Sequence, residues 1–137
     1  MLLELEEMDE PVQRVVKLGI EWLEMNNGEE WAEDIWSAVV DSEFNMMNCE
    51  HCAVGTAIGD YYDNFCKPLN PENPYTKKIE IEASSYGFFA SEGDSYNWEE
   101  LAQGWAAASY QRLISKGVEP YVPEDLDELI HHDDYDL

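Results

Sequence analysis

The chain has 137 residues, 45% of them hydrophobic and 12% aromatic, which is enough for one compact domain with an apolar core and too short for two comfortable ones. Thirty-one acidic residues face seven basic ones, giving a formal net charge of −24 where a domain of this size carries roughly 2 to 8. Such a polyanion is repelled by nucleic acid and by anionic membranes, so the expectation is no direct nucleic-acid partner and no membrane partner, but a basic protein surface or a cation.

The acid is densest at the ends. Residues 1–10 carry five acids and no base, and residues 119–137 carry eight acids and no base, leaving the middle at −11. The N-terminus MLLELEEMDEP has no basic run, and no apolar stretch reaches the roughly 18 residues that span a bilayer. Three cysteines, an odd number, suit a reducing compartment better than a disulfide scaffold. A cytoplasmic protein is expected.

The first element starts after Asp9, an N-cap residue, with Pro11 in the first turn. Val12, Val15, Val16, Gly19, Ile20 and Leu23 follow helical spacing, and Asn26-Asn27-Gly28 stops the helix. Trp31, Ile35, Trp36, Val39 and Val40 predict a second helix to about residue 40, with Glu29, Glu30 and Glu33 suited to its N-terminus. Val54, Ile58, Tyr61 and Phe65 then make an apolar stripe that reads as one helix over 52–66, with Gly55 and Gly59 on a neighbouring face where another backbone can approach. A proline-rich loop, PLNPENP, follows. Thr76 as N-cap and Gly87 as C-cap predict a short helix. Asn97 and Glu100 are spaced as a capping box that opens at Ser95 or Asn97 and runs to Gly117, with Trp98, Leu101, Trp105, Ala108 and Arg112 on one face and Leu113 extending it. In PEDLDELI, Pro123 sits at a helix-start position. The expected fold is all-α: a small single-domain bundle of four to five helices over 1–118, and an acidic, partly helical C-terminal tail over 119–137.

The stretch NCEHCAVGTAIGDYYDNFC raises the question of a metal. Zinc needs about four converging ligands. If 52–66 is one helix, Cys52 and Cys66 stand about 21 Å apart and cannot share an ion. A site would then need Cys49 and His51 with His131 or His132 and a carboxylate. Buried cysteines behaving as small apolar residues are the simpler reading, and CEHC does not follow a strand as a redox motif does. No metal and no cofactor are expected.

Cys52-Ala-Val-Gly55, Gly59-Asp60-Tyr61, Tyr86-Gly87-Phe88 and the Trp-bearing helix beyond them resemble small acidic accessory proteins encoded by phages of actinobacteria, over about residues 50–110. The resemblance implies a viral accessory role in a host cytosol. It assigns no activity and no site residue.

Catalytic raw material is sparse. Two of the three histidines lie in the tail, Ser84, Ser85 and Ser91 have no base nearby in sequence, and no nucleophile-elbow, P-loop, dinucleotide or H-E-x-x-H motif occurs. Carboxylate pairs are unremarkable in so acidic a chain, and no calcium loop is present. No enzyme is expected. Carboxylates three or four residues apart on a helix lie about 5–6 Å from each other, however, and so imitate the charge spacing of a nucleic-acid backbone. The candidate partner-binding residues are Glu21, Glu24, Glu29, Glu30, Glu33 and Asp34, then Asp60 and Asp63 with Glu80, then Glu124, Asp125, Asp127, Glu128, Asp133, Asp134 and Asp136. They suggest a nucleic-acid mimic inhibiting a basic host DNA- or RNA-binding protein. The alternatives are a protein-binding module docking through DLDELI and Tyr135, a passive, salt-adapted acidic surface, and a small metal-dependent enzyme. A homodimer is compatible with the sequence.

Overall fold

The computed structural model describes residues 4–26, 29–48, 50–73, 76–90 and 96–126. Asn27, Gly28, Cys49, Ser91, Ser95, Asp127, Glu128, His131, His132, Asp133, Asp134, Tyr135 and Asp136, all invoked above, lie outside them, as does most of DLDELI.

Every regular element among the described residues is helical. A short 3₁₀ turn, Leu5–Glu7, precedes α1 (Glu10–Met25), α2 (Trp31–Val40), α3 (Ala53–Ala57), a π-helical turn Tyr62–Cys66 that runs into α4 (Lys67–Leu69), α5 (Lys77–Ser85) and α6 (Trp98–Ser115). The all-α expectation holds. Among the described residues there are six α-helices rather than four or five, because the stretch read as one helix over 52–66 is interrupted.

α6 is the axis of the fold. Leu101, Ala102, Gly104, Trp105, the run Ala106-Ala107-Ala108, Ser109 and Leu113 are all buried, so this helix is covered on nearly every side, as a helix apolar all round must be. The sequence had marked one face only. α1 and α2 pack on it; of the stripes their spacing predicts, Val12, Val15, Val16, Gly19 and Leu23 on α1 and Trp31, Ile35, Trp36 and Val39 on α2 are buried, Ile20 and Val40 only partly so, and Ala32 is buried besides.

The close approaches through glycine come at Gly19 and Gly104, outside the 52–66 stretch. A Cβ on Gly19 would meet the Tyr86 carbonyl oxygen and stand 2.7 Å from the Trp105 ring, so α1 touches both α6 and the end of α5 through bare backbone. Gly59, expected to serve that purpose, has φ +140 and ends α3 instead. Asp60 then restarts the chain, its Oδ2 accepting the Asp63 N–H at 3.1 Å. A stop and a start side by side break the helix while leaving its stripe pointed inward: Val54, Tyr61 and Phe65 are all buried.

The caps behave as their residue types require, with one exception. Thr76 Oγ1 accepts Ile79 N–H (3.4 Å), and Asn97 Oδ1 accepts Glu100 N–H (2.8 Å). Asp9 occupies the N-cap of α1 but its side chain makes no capping bond.

Aromatic rings tie the layers together. Phe65 meets Trp22 edge-on at 5.3 Å and Phe88 at 5.4 Å, Phe88 stacks on Trp105 (5.9 Å), and Trp105 meets Trp31 at 6.0 Å. Trp105 Nε1 donates to the Gly87 carbonyl at 2.7 Å, which locks α6 to the end of α5. The segment after α6 crosses back over α2: Trp36 Nε1 donates to the Tyr121 carbonyl (2.9 Å), and Leu126 is buried in the core.

Candidate functional site

The last turn of α1, the first turn of α2 and the last turns of α6 meet at one end of the molecule. Arg112 of α6 makes the junction. Its guanidinium nitrogens lie 3.2 and 3.5 Å from the Glu24 carboxylate on α1, and its Cζ stands 5.2 Å from the centre of the Trp31 ring on α2. A planar guanidinium serves both contacts at once, which an ammonium does less well.

Six of the candidate acids lie on the elements that meet here. Glu21 lies three residues before Glu24 on α1, Glu29 and Glu30 form the turn into α2, and Glu33 and Asp34 fill its first turn, where negative charge suits the positive end of the helix dipole. Glu21, Glu24, Glu29, Glu30 and Glu33 are exposed. Asp34 is half-buried, and that burial, with Glu30 and Glu33 beside it, holds its carboxyl above the usual carboxylate range. Glu24, bonded to Arg112, is partly spoken for.

A cleft of about 270 Å³ opens beside these carboxylates. Trp36, Leu113, Val118 and Pro120 supply its apolar lining, and Glu30, Glu33 and Lys116 its charged lining. Sequence patterning missed this cleft because it needs the segment after α6 to fold back against α2. The Lys116-Gly117 end of α6 was legible, but not the direction taken beyond it.

The other candidates stand elsewhere. Asp60 caps the helical stretch that starts at Tyr61, and Asp63 pairs with Lys67 at 2.7 Å, so both have local structural work and Asp63 is largely neutralised. Glu80, on α5, is half-exposed. Glu124 and Asp125 are exposed, next to the buried Leu126. Asp127, Glu128, Asp133 and Asp134 are outside the described residues. Among the described candidates, Glu21, Glu24, Glu29, Glu30, Glu33 and Asp34 lie on neighbouring turns of α1 and α2, and Asp60, Asp63, Glu80, Glu124 and Asp125 lie apart from them.

The cysteine argument from helix length is overturned. With the chain broken at Gly59, Cys52 and Cys66 are both buried near Tyr61, and burial together with the neighbouring Cys66 and Cys52 side chains pushes the Tyr61 hydroxyl's proton affinity well up. His51 is exposed. Among the described residues no three His, Cys, Asp or Glu side chains gather as a metal-ligand set. No helix among them is long and apolar enough to cross a membrane. Comparison with protein-family models, with curated proteins and with solved structures finds no match for this chain.

Proposed function

We propose that this protein is a phage-type acidic inhibitor that occupies the basic groove of a host DNA- or RNA-binding protein as a surrogate for the nucleic-acid backbone. It acts in the host cytosol by occupancy rather than by catalysis. The observation that supports this reading is the run of exposed Glu29, Glu30 and Glu33 with half-buried Asp34 at one helix start, where burial first, and then Glu30 and Glu33, disfavour ionisation of Asp34. Charge held against such a penalty in a chain of net −24 has a use outside the fold.

Capture of a basic protein from an actinobacterial lysate, competed by duplex DNA, tests the reading. Replacing several phosphate contacts should make binding fall by roughly 10³-fold or more between 50 and 200 mM salt. Binding that ignores both salt and DNA sinks the proposal.

The rival read from the sequence docks through DLDELI and Tyr135, most of which lie outside the described residues; exposed Val118, Tyr121 and Val122, interspersed with Glu119, Glu124 and Asp125, would extend such a docking segment towards α6, with charge only assisting. Deleting 119–137 would not separate the two, since it removes the buried Leu126 and the acceptor of Trp36. Tyr121→Ala with Val122→Ser does. Those exposed changes leave a charge mimic intact and disable a docking segment.

A further inference from the structure

The connection between α2 and α3 brings three sulfur side chains to a second cleft, which shares no lining residue with the acidic one. Asn45 N–H donates to the His51 carbonyl at 2.9 Å, closing this loop on itself, and Asn45 Oδ1 accepts Met47 N–H at 2.9 Å. Met46 and Met47 are thereby returned to Cys52. All three line one cleft of about 120 Å³, whose other walls are aromatic, Tyr61, Phe88 and Trp98 among them. Cys52 and Met46 are buried, whereas Met47 is 41% exposed. Gly55 N–H donates to Cys52 Sγ (3.4 Å), which caps α3 and fixes the thiol at the cleft.

Methionine ordinarily fills apolar gaps and packs on rings, which accounts for Met46. It does not account for Met47, a half-exposed thioether sharing the lining of a cleft with a thiol. Thioether and thiolate are soft donors that select Cu(I), while Mg²⁺, Ca²⁺ and Mn²⁺ take oxygen. The protein's field gathers cations of every kind, and the sulfur cleft discriminates among them.

We propose that Met46, Met47 and Cys52 form a binding site for the soft monovalent ion Cu(I). On binding, the Cys52 thiol proton leaves to solvent and the ion joins one thiolate and two thioether sulfurs, with no change of oxidation state. This site is independent of the acidic end and of its partner.

The test is an anaerobic titration of the full chain with Cu(I) against a chromophoric Cu(I) chelator. One ion per chain is expected, with an X-ray absorption spectrum showing sulfur neighbours only. Met46→Leu with Met47→Leu conserves volume, so helix content by circular dichroism should hold while affinity falls by at least about tenfold, or about 1.4 kcal/mol. Cys49→Ser and His51→Ala should leave affinity unchanged. Failure of the wild-type chain to keep the ion from the chelator overturns the site. So does unchanged affinity in the double leucine variant, or loss of binding in Cys49→Ser, which would move the ion to the CEHC stretch.

Discussion

At Gly59 the backbone adopts φ +140, a region closed to side chains, and an added Cβ would stand 3.1 Å from Asn64 Nδ2. Gly59→Ala should therefore destabilise the fold by about 1–3 kcal/mol, read from the shift of a denaturant midpoint. A helix running unbroken through 52–66 would instead gain stability from the same substitution, so the sign is decisive. Asp34 offers a second residue-level test. Its carboxyl binds a proton more tightly in the fold than the ordinary value of 3.8, because of burial and then of Glu30 and Glu33. A raised acid pKa means that stability is fullest below the unfolded value and is lost as pH rises through the folded one. Asp34→Asn should raise the melting temperature at pH 7, because it removes a carboxylate whose charged form is disfavoured by burial and then by Glu30 and Glu33. The gain should vanish near pH 3.

Among the elements, those announced by their own caps and stripes were legible from the sequence. α1 and α2 end within a residue or so of where Asn26 and Val40 place them, and Thr76 and Asn97 cap as their spacing requires. Asn97→Ala should cost about 1 kcal/mol, seen as an earlier thermal transition with an unchanged folded spectrum. The break at 58–60 was not read. A stripe at helical spacing survives a Gly-Asp interruption, so periodicity alone cannot register it. The close approach at Gly19 was equally hidden, because nothing local tells that Tyr86 and Trp105 converge there. Gly19→Ala should destabilise by about 1–3 kcal/mol through overpacking, whereas the helix propensity of alanine alone would stabilise. Equilibrium unfolding of this variant decides whether α1 meets α6 as described.

For the molecule as a whole, composition announced the polyanion but not its arrangement. The acids were assigned to tracks along several helices, and the bundle brings the Glu24 end of α1 to the start of α2 through Arg112, which pairs with Glu24 and lies over Trp31. Charge is countable in a sequence, whereas convergence depends on which helix ends the bundle brings together. With 31 acids against seven bases, mutual repulsion should weaken as salt shortens the screening length from about 30 Å at 0.01 M to about 3 Å at 1 M. The melting temperature should rise steadily with sodium chloride over that range. A flat response would mean that the carboxylates stand too far apart to act on one another.

The meeting of Trp31 and Trp105 has an optical consequence. Their ring centres are 6.0 Å apart and their planes cross at 80°. Two indoles so close and so steeply crossed share their electronic excitation, and the shared transitions give circular-dichroism bands of opposite sign at the long-wavelength edge of the helical spectrum. Apparent helicity in solution will thus differ from the helices described above. Replacing either indole by phenylalanine should erase the couplet, a signature of native packing that requires no knowledge of function.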